Sequence, residues 1–493
     1  MGPAVAPHSV AHQAAQSAAG SVRNTEAATA LPAGGPRQLD YTVSVDATLA
    51  RATVQLCFTG AAPPTLVYGA QEAAGFMQRP RVVSEAGQPA ARALDVRDGH
   101  IQLAGLAADS CIAYDVDTAG AIEHDALLLA YPSDNAWVLS AELFLWRPVR
   151  RAAGLVSRVR FELPEGMQIS TPWPERGDSY QLDESAFACR GHLVFGHFER
   201  MAISVPGAVL DAVVLDGFAA PTRALIADWL ATAGSVVSLP SGAFPVQRAQ
   251  VIVVPTSPSH FPIHFGYTGR SGGASIVLFT PTDMDLAAFR ADWIAIHEFS
   301  HLLHPFVERD DAWLSEGLAT YLQEVLRVRA GLLPAQRAWQ RLFDGAARGR
   351  ETDQSLAHET RIMRFAGNYE RVYWAGAAIA LMVDVELRRK TGGQVSLDDV
   401  LAKLAHEPRV QHAVSAHDLL GHMDRLAGVD VFRATAHRYL VGTQLPDLTD
   451  LYRSLGLADE AGEVVVERGA PLAWIRDAIM AKRPLEVRLP RQG

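Results

Sequence analysis

The residues best suited to chemistry are His297, Glu298 and His301 in the segment HEFSH. Two histidines four apart project from the same face of a helix and can share one metal ion. Glu298, offset by one residue, falls beside such an ion and not on it. That offset suits a general base, which must reach an activated water and later hand its proton to a leaving amine. Catalytic zinc takes three protein ligands and keeps a fourth position for water, so a third ligand should follow downstream. Glu316, within Trp313-Leu314-Ser315-Glu316-Gly317, is the candidate, because the intervening connection is long enough to reverse the chain. Two histidines and a glutamate suit one Zn2+ per chain, and hence a metal-dependent hydrolase. His304 sits on an adjacent stripe and reads as a structural residue, not a ligand.

The elements that must hold these groups follow from periodicity. Pro281-Thr282-Asp283 opens a helix with acidic residues in its first turn. Leu286, Phe289, Trp293, Ile296, Phe299 and Leu303 then recur at helical spacing, which predicts one long helix through HEFSH. A break at Pro305 and Asp310-Asp311 precedes a second helix from Ala312 to about Ala330, stopped by Gly331. Upstream, Tyr41, Val43, Val45 and then Val54, Leu56, Phe58 alternate at period two, as do Val159, Phe161, Leu163. The expected fold class is multidomain α+β: a disordered tail (1–38), an all-β sandwich-like domain (39–206), a catalytic α/β domain (207–333), a helical domain (334–457) and a C-terminal extension (458–493). In the helical domain Ser396-Leu397-Asp398-Asp399 reads as a capping box.

A chain of 493 residues with 49% hydrophobic content can bury more than one core. Net charge of −10 argues against a nucleic-acid partner, which needs a clustered basic face. Apolar runs such as Ala212 to Leu215 are too short for a transmembrane segment. A peptide or other small substrate fits better. Cys57, Cys111 and Cys189 are too scattered for a CxxC pair and allow no more than one disulfide; ordinary buried thiols are the expectation. The Ala-, Ser- and Gly-rich start lacks the regions of a secretory signal, leaving a cytoplasmic protein or one whose leader has been removed.

HEFSH followed by WLSEGLATYL resembles the gluzincin metallopeptidases, the clan of thermolysin and the aminopeptidase N group. Val372-Tyr373-Trp374-Ala375-Gly376, then Thr391-Gly392-Gly393-Gln394-Val395-Ser396-Leu397-Asp398-Asp399, is similar to the glycyl aminopeptidase family, and Arg438-Tyr439-Leu440-Val441-Gly442-Thr443 continues the likeness. The resemblance spans roughly residues 40–457. It implies a thermolysin-like catalytic domain, a helical domain closing the cleft, and a role for Tyr373 as hydrogen-bond donor to the oxyanion of the tetrahedral intermediate. Read alone, Tyr373 is a half-buried core aromatic.

Three departures bear on specificity. Where the aminopeptidases carry a Gly-rich strand whose glutamate clamps the substrate amine, this chain has Ser271-Gly272-Gly273-Ala274-Ser275-Ile276, without an acid. Gly272, Gly273 and Ala274 still offer a backbone edge for an extended peptide. The connection from His301 to Glu316 is shorter than in the relatives, and residues after Leu457 are too few for a PDZ domain. The expected function is an aminopeptidase-like zinc peptidase. An endopeptidase, a zinc hydrolase of a non-peptide amide or ester, and a non-catalytic metal-binding scaffold stand as alternatives.

Overall fold

The computed structural model describes residues 36–483 and 485, apart from 125–129, 134, 150–153, 184, 189–190, 257–264, 350–353, 409, 411 and 445. The tail expected over residues 1–38 lies outside the described residues as far as residue 35.

Alternating apolar positions build the strands of the first half. In Gln38–Val45, Leu39, Tyr41 and Val43 point inward; in Arg51–Thr59, Ala52, Val54, Leu56 and Phe58 do so. The two strands pair antiparallel within an eight-stranded sheet, and two four-stranded sheets accompany it. Trp146 and Trp173 fill their shared core, where the Tyr41 hydroxyl donates to the Trp146 carbonyl at 2.7 Å.

The sheet register also sets Cys57 opposite Cys111, and the pair forms a disulfide across 54 residues of sequence. This corrects the expectation of ordinary buried thiols for these two: strand pairing, invisible in the spacing, brings them together. Cys189 lies outside the described residues.

A further, five-stranded sheet runs in the order Glu199–Val205, Ala208–Val214, Arg248–Thr256, Ala274–Pro281, Phe265–Gly269. The middle three strands are parallel, and an antiparallel strand closes each edge. Its first strand therefore precedes residue 207, where the sequence reading opens the catalytic region. Both faces of this sheet are covered. Val251 and Val253 pack with the helices, while Ile252 and Val254 pack against Val138 and Val194 of the N-terminal sheets. Double coverage explains the unbroken apolar run Val251 to Val254.

The one long helix predicted through HEFSH is two. Leu286–Ala291 ends at Asp292, whose backbone is extended, and Ile294–Ser300 begins beyond it. The Asp292 carboxylate accepts from the amides of Ile294 and Ala295, each at 3.1 Å, and from Trp229 Nε1 at 2.9 Å. An aspartate that satisfies the first amides of a helix competes with continuing the preceding one. The apolar stripe crosses the break without registering it.

From Ala335 onward the described elements are helices, apart from the hairpin Leu457–Glu460 and Glu463–Val466. The capping box at Ser396 and Asp399 is closed in both directions. Ile475 and Ile479 of the last helix, Ala473–Ile479, join the core shared with the five-stranded sheet. No helix among the described residues is long and apolar enough to cross a membrane.

Candidate metal centre

Ile294–Ser300 carries His297 and Glu298, and His301 begins the turn that follows. The next long helix, Ala312–Arg329, carries Glu316 in its second turn. Their packing sets His297 Nε2 at 3.3 Å and His301 Nε2 at 3.5 Å from the same oxygen, Glu316 Oε2. One candidate ligand atom from each residue lies within 4.8 Å of the others, the only such cluster among the described residues.

The outer contacts fit a metal. His297 Nδ1 is 2.8 Å from Gln323 Oε1, and the Gln323 amide is oriented by donating to Glu324 at 3.1 Å. An amide oxygen only accepts, so Nδ1 carries a proton and Nε2 is the nitrogen that would face a metal. His301 Nδ1 is held by Ser315 Oγ at 3.0 Å. Two imidazole nitrogens and one carboxylate could give zinc three ligands and leave it an open position. Burial alone would raise the Glu316 pKa, yet His301 and His297 hold it well below the usual carboxylate range.

Glu298 is buried beside this cluster. Thr268 Oγ1 lies 3.0 Å from its Oε2 and 2.7 Å from its backbone carbonyl. A Cβ on Gly266 would come within 2.7 Å of Glu298 Cγ, so only glycine lets the strand approach so closely. Burial lifts the Glu298 pKa above its ordinary value, opposed by His301 and His297. Sequence reasoning missed Thr268, Gly266 and Gln323. For Gln323 a signal existed: it follows Glu316 by two helical turns and shares its face.

Tyr373, on the helix Tyr369–Thr391, stacks on His297 with ring centroids 6.0 Å apart and planes 12° from parallel. Its hydroxyl donates to Glu316, and burial raises its pKa well above the ordinary phenol range, Glu316 and Glu298 adding to the shift. Glycines set this placement. A Cβ on Gly317 would lie 2.4 Å from the Gly376 backbone, and one on Gly376 would lie 2.2 Å from the Trp313 carbonyl. The two helices thus cross in direct backbone contact, one residue after Glu316 and three after Tyr373. Gly317→Ala is expected to cost about 1–3 kcal/mol by overpacking, measured by urea unfolding, and to lower turnover by moving Tyr373 from Glu316. Unchanged stability and turnover would show that the crossing does not position the site.

The peptide-pairing edge needs correction. Ala274 opens an interior strand: it pairs with Ala249 on one side, and the next residue, Ser275, pairs with Gly269 on the other. Gly272 and Gly273 pack against the N-terminal β region; their Cβ atoms would meet Trp173 and the Pro172 carbonyl. Among the described residues the strand at this end of the sheet is Phe265–Gly269, which lies on Glu298. Gly272 and Gly273 instead line a cavity of about 190 Å³ with Asp183, Arg270, His304 and Glu407.

No protein-family model and no curated protein matches the chain. Solved structures do. The chain is similar to an aminopeptidase N family protein from Idiomarina loihiensis, at 15% identity and a TM-score of 0.66 over 85% of this chain and 78% of that one. It is also similar to an M1 zinc metallopeptidase from Deinococcus radiodurans (15% identity, TM-score 0.51, 85% of this chain and 96% of that one). A mutant of the Deinococcus protein bound to a Tyr-Ser-Ala substrate matches at 16% identity and a TM-score of 0.52, over 84% and 96% of the two chains. At these identities the likeness establishes the fold, N-terminal β sheets followed by a helical region.

Proposed function

We propose that this chain is a zinc-dependent peptidase of aminopeptidase-like type, with His297, His301 and Glu316 as the metal ligands. The observation that carries the proposal is the convergence of both Nε2 atoms on Glu316 Oε2, with Glu298 buried alongside. A zinc ion held there would supply Lewis acidity toward a carbonyl oxygen and would lower the pKa of an attacking water. Glu298 receives the proton of that water and delivers it to the leaving nitrogen. The Tyr373 hydroxyl, which donates to Glu316 at rest, turns its hydrogen bond to the oxyanion of the tetrahedral intermediate. An extended peptide is expected to add to the edge strand Phe265–Gly269, with main-chain hydrogen bonds supplying affinity. A solved neighbour with this fold holds a tripeptide, which supports peptides as the substrate class.

Tyr373→Phe is expected to lower kcat by about 10²–10³-fold, the usual cost of one oxyanion donor. Zinc content at saturating metal should not change, because the three candidate ligands remain. A steady-state assay with wild-type kcat in the phenylalanine variant would remove Tyr373 from the chemistry.

One observation favours a second reading. The edge strand Phe265–Gly269, on which the peptide would lie, carries no acid to hold a substrate ammonium, so internal cleavage competes with removal of the first residue. Matched peptides with free and N-acetylated amino termini, read by mass spectrometry, separate the two. Single residues released only from the free-amine set establish an aminopeptidase, and internal cuts in both sets establish an endopeptidase. Intact peptides in both sets would shift the reading to a non-peptide amide or ester.

A further inference from the structure

His304 is no ligand in the arrangement above, yet both its ring nitrogens are engaged and it is buried. Its Nδ1 lies 2.7 Å from the Pro305 carbonyl. A carbonyl only accepts, so Nδ1 carries the proton and Nε2 bears a lone pair. That Nε2 is 3.5 Å from Ser315 Oγ. Ser315 has a single hydroxyl proton and directs it to Nε2. The Ser315 oxygen, 3.0 Å from His301 Nδ1, is then left as an acceptor. His301 must donate through Nδ1, which leaves Nε2 as the nitrogen on the Glu316 side, 3.5 Å from Oε2. One directional assignment satisfies the whole chain of groups, and it begins at a backbone carbonyl that neither titrates nor reorients.

We propose that His304, acting through Ser315, is a positioning residue that fixes the tautomer of His301 and so prepares its Nε2 for a metal ion. The inference rests on the reading that His297, His301 and Glu316 hold zinc. One further contact agrees with it: Arg270 bonds the His301 carbonyl, pinning the turn on which His301 stands. The relay parallels the Gln323 contact on His297: each candidate histidine ligand has its far nitrogen held by a different device.

The longest contact, between Ser315 and His304, is where the test is aimed. Zinc affinity is measured by chelator competition for the wild type, Ser315→Ala, His304→Leu, His304→Gln and the Ser315→Ala/His304→Leu double variant. The single changes Ser315→Ala and His304→Leu are each expected to weaken zinc about 10–100-fold, as loss of an outer-shell partner does. The double variant should be no weaker than the weaker single, because the two act as one unit. His304→Gln places an amide oxygen where Nε2 stood and should bind zinc as the wild type does. Wild-type affinity in His304→Leu, or additive losses in the double variant, would overturn the relay.

Long-range proton–nitrogen NMR of histidine-labelled wild type needs no variant that must fold. It is expected to find Nδ1–H on both His301 and His304, and Nε2–H on His304 would overturn the proposal. Failure of the wild type to bind zinc would instead end the metal reading, with the tautomer spectrum still deciding the relay.

Discussion

Replacing Glu298 with glutamine is expected to lower kcat by about 10²–10⁴-fold, the typical contribution of a positioned proton-transfer group. The glutamine oxygen still accepts from Thr268 Oγ1, which lies 3.0 Å from Glu298 Oε2, so the local hydrogen bonding survives. Zinc content and thermal midpoint should therefore match the wild type. Substrate affinity should change little, since the lost interaction is with a proton in transit and not with the bound peptide. Burial supports the role, because it raises the Glu298 pKa from its ordinary value and lets the carboxylate both take and return a proton. Full turnover in the glutamine variant would sink the general-base assignment.

Removing Glu316 should act earlier, on the metal itself. Glu316 Oε2 is the atom on which both Nε2 atoms converge. Glu316→Ala leaves two histidines, too few for a catalytic zinc site. Peptide cleavage is expected to fall below detection, and zinc per chain to drop from one toward zero after gel filtration. The wild type at a zinc concentration 100 times its Kd gains about 2.7 kcal/mol of stability from binding alone. The alanine variant should lose that gain while its zinc-free midpoint stays close to the wild type. A zinc-induced shift of wild-type size in Glu316→Ala would place the metal elsewhere.

Much of this arrangement could be read before any coordinates, where the determinants are local. Histidines four apart share a helix face, and Gly331 ends the helix that carries Glu316. The capping box at Ser396 and the alternation in Gln38–Val45 are likewise short-range patterns with one structural solution. What escaped depended on partners distant in sequence. The break at Asp292 is settled in part by Trp229, a residue on another helix. The Cys57–Cys111 pair follows from strand order, and no spacing rule encodes that order.

The edge strand shows the same limit. Glycines at 272 and 273 looked free to meet a peptide, but their smallness serves contacts with Pro172 and Trp173. Gly266 is the glycine that approaches Glu298, and nothing in its immediate neighbours distinguishes it. Ser315 and His304 were each visible as residue types; their connection to His301 was not, because it runs through the fold of the turn between the two helices.

The central claim is that one zinc ion, held by His297, His301 and Glu316, makes this chain a peptidase. The most direct test is a titration of peptide cleavage against zinc added to chelator-stripped protein. Cleavage that is absent without metal and reaches its plateau at one zinc per chain is the predicted result. Peptides left intact by the zinc-loaded protein, or cut equally well without metal, would contradict it.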